Sequence, residues 1–325
     1  MTYFSAMQSL DELYRKFEKY RKKHVFKGGV SELYTPANYL MELGGKRMRP
    51  LLTMLAFQLY DKKVDHVLAA ALAIEVFHNF SLMHDDIMDA SPLRRGQPTT
   101  HFKFDINAAI LSGDWMLIHS YQLLNQYDAP LNKNLISLLN KTATEVCEGQ
   151  QLDINFETNH EVSKSEYLKM IKCKTAVLLG AALKMGGMLG GAHKVDLSQL
   201  YLAGVNMGLS FQLMDDYLDA FGEDSGKVIG GDIIRNKKTL LYIHCLSQLN
   251  ATGKKDLQKI FQSKGKTKVK LILQFYGDTQ SDQFVHSLAL NYGKKALKNL
   301  SKLGVEGAKR KDLEDLFSKL LTRKN

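Results

Sequence analysis

Two acidic pentapeptides carry the chemistry this chain has to offer. They are Asp85-Asp86-Ile87-Met88-Asp89 and Asp215-Asp216-Tyr217-Leu218-Asp219. Each closes an apolar run, Val76 to His84 in the first case and Leu209 to Met214 in the second. On a helix, residues four apart share a face, so Asp85 pairs with Asp89 and Asp215 with Asp219. Like charges at that spacing repel, and each pair calls for a cation. A hard divalent ion suits oxygen donors, and magnesium typically uses one or two carboxylates and completes its shell with water and substrate phosphates. A single such pentapeptide is equally well explained as a solvated helix face. Two copies, each at the end of an apolar helix, argue for metal.

Basic residues gather beside both. Gly44-Gly45-Lys46-Arg47-Met48-Arg49-Pro50 sets three cations in four residues, with Pro50 suited to a first helical turn. A turn with cations at a helix start suits an anion, although a solvated basic turn fits the same residues. His78 lies two turns before Asp85 on the same face; a lone helical histidine is otherwise a packing residue. The Ser91–Pro98 loop carries Arg94 and Arg95, which either balance the aspartates or form forks for phosphate. Around the second pentapeptide stand Gly149-Gln150-Gln151-Leu152-Asp153, Lys172-Cys173-Lys174-Thr175, Gly226-Lys227, Gly230-Gly231-Asp232 and Asn236-Lys237-Lys238-Thr239. Carboxylate pairs with many Lys and Arg describe a polyphosphate held through magnesium. Helices rich in Phe, Leu and Met lead away from them, which suits a diphosphate with a hydrocarbon tail. Neither a G-x-x-x-x-G-K-[ST] loop nor a G-x-G-x-x-G turn is found.

The elements that must position these residues read as helices over 6–26, 32–42, 64–89, 105–127, 131–156, 163–185 and 195–222, with four or five more across 238–323. Local β-propensity over 268–276 admits a strand, but no strand–helix alternation appears, so the expected class is all-α. The stretch 176–192 is nearly all apolar or small. Lys184 interrupts it and it is short for a membrane span, so it reads as a buried helix whose Gly186, Gly187, Gly190 and Gly191 permit close approach or mark its end. No signal-peptide pattern opens the chain. The 325 residues carry 44 Lys and Arg against 34 Asp and Glu, a net charge of +10. Nucleic-acid binding would be one use of that excess, but the cations are spread and no aromatic-interleaved basic segment stands out. The C-terminal cations (Lys254, Lys255, Lys264, Lys266, Lys268, Lys270, Lys294, Lys295, Lys309, Arg310, Lys311) read as solvated helix faces. Three distant cysteines, Cys147, Cys173 and Cys245, form no disulfide framework or zinc spacing and fit a reducing cytoplasm.

In their order and spacing the motifs over residues 40–240 resemble those of the trans-isoprenyl diphosphate synthases. The resemblance rests on Gly-Gly-Lys-Arg-x-Arg-Pro at 44–50, Asp-Asp-x-x-Asp at 85–89, Arg-Arg-Gly at 94–96, Gly-Gln-x-x-Asp at 149–153, Lys-Thr at 174–175 and Phe-Gln-x-x-Asp-Asp-x-x-Asp at 211–219. It implies one all-α domain over 1–325, with the isoprenoid synthase fold of about a dozen helices around a central cavity, and a homodimer without nucleic acid or stable membrane insertion. It also implies that Asp85 and Asp89 bind two magnesium ions and Asp215 a third, with Asp86, Asp153 and Asp219 in support. Arg94, Lys174, Thr175, Gln212 and Lys227, with Lys237 or Lys238, would hold an allylic diphosphate (dimethylallyl, geranyl or farnesyl). Lys46, Arg49, His78 and Arg95 would hold isopentenyl diphosphate. Asp85, Asp89, Lys174 and Asp215 are the expected catalytic residues of head-to-tail prenyl transfer, in which the released diphosphate takes the proton.

The hydrocarbon tail is expected to run up the helix that carries Asp85. Ser81 is small and one turn up. Phe80 is roughly 7.5 Å and Phe77 roughly 12 Å along the axis, at about 1.5 Å per residue, and either ring can act as a floor or simply pack the core. In the family an aromatic five positions before the first motif goes with short products, and the uninserted motif here resembles archaeal-type enzymes. The twenty-carbon geranylgeranyl product is therefore favoured over the fifteen-carbon farnesyl product. A class I terpene cyclase would share the fold but normally lacks a second Asp-Asp-x-x-Asp and an isopentenyl site. A non-catalytic synthase subunit would show eroded motifs, and both motifs are intact.

Overall fold

A computed structural model describes residues 2–159, 161–222, 229–265 and 267–322, with side chains from Leu10 onward. It is helical nearly throughout. In order come α1 (Thr2–Lys23), α2 (Ser31–Glu42), α3 (Met48–Gln58), a 3₁₀ turn (Val64–Val67), α4 (Leu68–Met88), α5 (Thr100–Lys103), α6 (Ile106–Leu124) and α7 (Leu131–Thr158). Then follow α8 (Lys164–Ile171), a π turn (Lys172–Ala176), α9 (Val177–Leu189), α10 (Lys194–Phe221) and α11 (Gly231–Ile234). The last five are α12 (Leu240–Gln248), α13 (Ala251–Phe261), α14 (Lys268–Asp278), α15 (Ser281–Ser301) and α16 (Gly307–Leu321). The expected helices are all present. Residues 268–276 form α14 and not a strand, because Ile272 and Tyr276, one turn apart, bury the same helical face.

The chain divides into two compact units. One comprises Met1–Thr142, Leu178–Tyr201 and Ser301–Leu313; the other comprises Ala143–Val177, Leu202–Leu300 and Glu314–Asn325. In the first, α4 is the central helix. Twelve of its residues are buried, running from Leu68 to Asp86. The 25 residues Val64–Met88 are long and apolar enough to cross a membrane, but 67% of their most apolar window is packed inside the protein. α6 lies along α4 and starts at Asp105, whose carboxylate accepts from the Ala108 amide at 2.8 Å. Gly113 on α6 makes room for His84; a Cβ there would overlap the imidazole. The glycines of the 176–192 stretch act as expected. Gly186 lies against the Thr53 carbonyl, and Gly191, with φ +82°, follows the helix end.

In the second unit, α8 begins with a reciprocal capping box. Ser163 Oγ accepts from the Glu166 amide at 3.2 Å, and the Glu166 carboxylate accepts from the Ser163 amide at 2.8 Å. Of the C-terminal cations expected to be solvated, Lys268 is an exception. It is buried, donates to Asn236 Oδ1 and lies 5.2 Å from the Phe261 ring centroid. Lys266 lies outside the described residues.

Candidate active site

Both acidic pentapeptides occupy the last turn of a long helix, α4 ending at Met88 and α10 at Phe221. The helix macrodipole is negative at that end and disfavours carboxylates. Two further carboxylates one turn apart make the electrostatics worse, so these ends demand cations. The Asp89 amide donates to the Asp85 carbonyl at 2.9 Å, which confirms the one-turn spacing.

Within each pentapeptide the middle aspartate turns inward. Asp86 is buried and accepts a two-pronged grip from Arg94, Nε to Oδ2 at 2.6 Å and Nη2 to Oδ1 at 2.7 Å. Arg94 Nη2 is also 3.9 Å from Asp85 Oδ2. Asp216 is buried and accepts from the Tyr167 hydroxyl and, at 3.1 Å, from Gln212 Nε2. Burial pushes the Asp216 carboxyl up to about 7, against the pull of Lys237 and the Tyr167 hydrogen bond. The outer aspartates are more open: Asp85, Asp215 and Asp219 are half-buried and Asp89 is exposed. Asp219 is occupied with the chain that follows it; its Oδ2 accepts from the Asp232 amide at 2.8 Å and its carbonyl from the Gly230 amide at 2.6 Å.

The donor set fits a divalent ion with open positions. Among the described residues no three His, Cys, Asp or Glu side chains converge into a ready-made cage. Magnesium does not need one, since substrate oxygens and water complete its shell.

The three cations of the 44–50 turn separate. Gly44 (φ +80°), Gly45 (φ +131°) and Arg47 (φ +45°) twist the backbone into α3. Arg47 is buried and bonds to Glu75 Oε1 at 2.6 Å, Glu18 Oε1 at 3.2 Å and the Met41 carbonyl. It is therefore a structural cation, contrary to its reading as part of an anion site. Arg49 Nη1 lies 2.9 Å from His78 Nε2, and because a guanidinium only donates, His78 accepts. Burial, then the neighbouring arginines, hold His78 well below its ordinary range, so it is neutral. Burial and Arg95, opposed by Glu75, push Arg49 down to about 10. Arg49 Nε is buried with no hydrogen-bond partner among the described residues. Arg95 donates to the Gly44 carbonyl, and Lys46 is exposed beside it. This corner of the first unit gathers positive charge that an anion would stabilise. Arg95 and Gly96, both at positive φ, form the two-residue turn of a short hairpin pairing Leu93 with Pro98. That small ladder lies within a segment that reads as loop from sequence.

In the second unit, Lys174 Nζ meets Asp153 Oδ2 at 2.7 Å, and Thr175 Oγ1 lies 3.4 Å from Gln212 Oε1. The neighbours Lys237 and Lys238 divide the work. Lys238 Nζ donates to the carbonyls of Phe156, Glu157 and Asn159 at 2.6–3.1 Å and caps the end of α7. Burial opposes the charge on Lys237, but Asp232, Asp216 and Asp153 outweigh it and raise its pKa. Lys237 thus belongs to the carboxylate cluster, and Lys238 does not. Lys227 lies outside the described residues. Tyr167 is a site residue that sequence reading missed, since a tyrosine on an apolar helix face carries no local signal.

On α4, Phe77 is buried, and its ring lies 5.5 Å from that of Phe80. Phe80 is only half-buried and lies 5.0 Å from the His84 ring. Ser81 Oγ donates to the His78 carbonyl at 2.8 Å.

Comparison with known proteins agrees with this chemistry. The chain belongs to the polyprenyl synthetase family, whose sequence model matches residues 30–278. It is accordingly a prenyltransferase. A geranylgeranyl diphosphate synthase of Methanosarcina mazei is 42% identical over 221 residues, 67% of this chain and 68% of the relative. A geranylfarnesyl diphosphate synthase of Natronomonas pharaonis is 34% identical over 313 residues, 90% of each. The crystal structure of a geranylgeranyl pyrophosphate synthetase from Pyrococcus horikoshii Ot3 superposes with a TM-score of 0.93 at 30% identity, covering 99% of this chain and 100% of that one.

Proposed function

We propose that residues 1–325 act as one catalytic domain that condenses isopentenyl diphosphate head-to-tail with dimethylallyl, geranyl and farnesyl diphosphates, with geranylgeranyl diphosphate as the main product. The observation that carries this reading is that both pentapeptides close a long helix with one aspartate buried, Asp86 and Asp216, and the outer aspartates at least partly exposed. Asp85 and Asp89 would hold two magnesium ions and Asp215 a third. The bound metal supplies charge neutralisation for a departing diphosphate. The chain's own groups would add to this: the cations Lys174 and Lys237 and the neutral donors Thr175 and Gln212 would hold the leaving diphosphate, with Arg94 fixed by Asp86. Positive charge arranged in advance around a leaving group favours bond breaking, because that group's negative charge grows in the transition state. Arg49, Arg95 and Lys46 bind the isopentenyl diphosphate, and neutral His78 holds Arg49 from behind. The apolar residues of α4 exclude water from the allylic cation.

Phe80 is the proposed floor. It is half-buried where Phe77 is fully packed, so Phe77 backs it from the core. Product analysis with magnesium, labelled isopentenyl diphosphate and each primer in turn tests the whole reading. Twenty-carbon product is expected, and no isopentenyl incorporation would sink it. Phe80→Ala is expected to shift the product to twenty-five carbons or more, while an unchanged distribution would remove Phe80 from the floor. Phe77→Ala is the poorer probe, since emptying a buried ring site costs about 3–5 kcal/mol of stability.

The enzyme is further proposed to be a cytoplasmic homodimer. α6 leaves Ile106, Ile110, Leu111 and Ile118 exposed, with Phe102 just before it. Such a stripe favours a partner of the same kind. Light scattering should give twice the 36.7 kDa chain mass, and a monomer at micromolar concentration would count against it.

A further inference from the structure

We propose that Gly149 and Gly208 are positioning residues that clamp the π turn and thereby aim Lys174 and Thr175. This rests on the prenyltransfer reading, in which those two side chains meet the allylic diphosphate. The π turn Lys172–Ala176 inserts one residue into an otherwise continuous helix running from α8 into α9. Such insertions re-aim side chains and concentrate at functional sites. Here the turn is held from two sides. A Cβ on Gly149 would overlap the Lys174 amide nitrogen and lie 2.7 Å from Lys174 Cα. A Cβ on Gly208 would lie 2.5 Å from Ala176 Cα and 2.7 Å from its Cβ. Both glycines are deep inside long helices, α7 and α10, where glycine costs about 1 kcal/mol relative to alanine. Backbone-to-backbone approach explains why they are there.

The two flanking helices share one layout. One turn after Gly149, Asp153 accepts from Lys174 Nζ at 2.7 Å. One turn after Gly208, Gln212 meets Thr175 Oγ1 at 3.4 Å. Residues four apart lie on one helical face, so each glycine brings the backbone in and the next residue on that face takes the side chain. The α10 stripe continues one more turn to Asp216, which Gln212 and Tyr167 both bond. Tyr167 is on α8, so the segment before the turn is tied to the same face of α10. Lys174 and Thr175 therefore have little freedom to swing with the ligand, and their aim depends on two missing Cβ atoms.

A double-mutant cycle tests this. Gly149→Ala is expected to raise the KM for allylic diphosphate about tenfold or more while the KM for isopentenyl diphosphate stays within about twofold. In a Lys174→Ala background the same change should add less than about twofold, because coupled residues are not additive. Additive effects, or equal losses for both substrates, would overturn the proposal. If Gly149→Ala does not fold, deletion of the exposed Lys172 converts the π turn to a regular α turn. That variant should keep its helical circular dichroism and melting temperature but lose allylic binding, and an unchanged allylic KM would overturn the proposal. Should the wild-type protein incorporate no isopentenyl diphosphate, the parent reading fails on its own. The cycle is then read by calorimetric binding of inorganic diphosphate, with the same two outcomes.

Discussion

Asp85→Asn lowers kcat by a factor of about 10²–10³, the scale seen when one prearranged stabiliser of a growing negative charge is removed. The amide keeps the shape of the side chain but cannot neutralise a divalent ion. Asp85 is half-buried and its proposed role is toward the metal, so stability changes within about 0.5 kcal/mol. The magnesium concentration for half-maximal activity rises with the loss of kcat. Asp215→Asn follows the same pattern. Asp86→Asn behaves differently, because Asp86 faces Arg94 and not the ligand. Its main effect is on the KM for allylic diphosphate, through a loosened guanidinium. Steady-state kinetics across a magnesium titration distinguish the three. A kcat for Asp85→Asn within about threefold of wild type would remove Asp85 from the metal site.

Glu75→Ala destabilises the fold by about 3–5 kcal/mol, the range for stripping one partner from a buried ion pair. Side chains of Arg47 and Glu75 are 2% and 3% exposed and 2.6 Å apart. Without Glu75 the Arg47 guanidinium stays buried with Glu18 and the Met41 carbonyl as its partners, and Asn79, which donates to Glu75 at 3.2 Å, loses an acceptor. Glu18 retains part of the pairing and places the effect toward the lower end. Urea denaturation measures it as a lowered midpoint at unchanged slope. A loss under about 1 kcal/mol would show that Arg47 is not held by this pair. Glu75 also favours the charge on Arg49, so the same substitution removes that support.

Much of the site was legible because its signals are local. The carboxylate spacing, the glycine-rich basic turn at 44–50 and the Lys174-Thr175 pair all stand out in short windows. The helices followed from apolar periodicity, and the segment 268–276, where β-propensity also admitted a strand, is short and rich in residues that suit strand or helix alike. Other features had no local trace. Tyr167 bonds Asp216 across 49 positions, and nothing around it predicts that partner. The π turn is likewise invisible, since it depends on Gly149 and Gly208 letting two other helices approach.

The sequence by itself determined the all-helical class, the two acidic groups and the diphosphate chemistry, because periodicity and one-turn spacing are properties of a single segment. Only the tertiary structure decided which surroundings each of two like neighbours meets. Arg47 is sunk in ion pairs while Arg49 lies against His78; Lys238 caps α7 while Lys237 joins the carboxylates; Asp86 and Asp216 are buried while Asp85 and Asp215 are half-buried. On a helix adjacent residues point about 100° apart, so they meet different surroundings. In a turn such as 44–47 the positive φ values redirect them further. Their partners come from distant segments, and only packing those segments together assigns the roles.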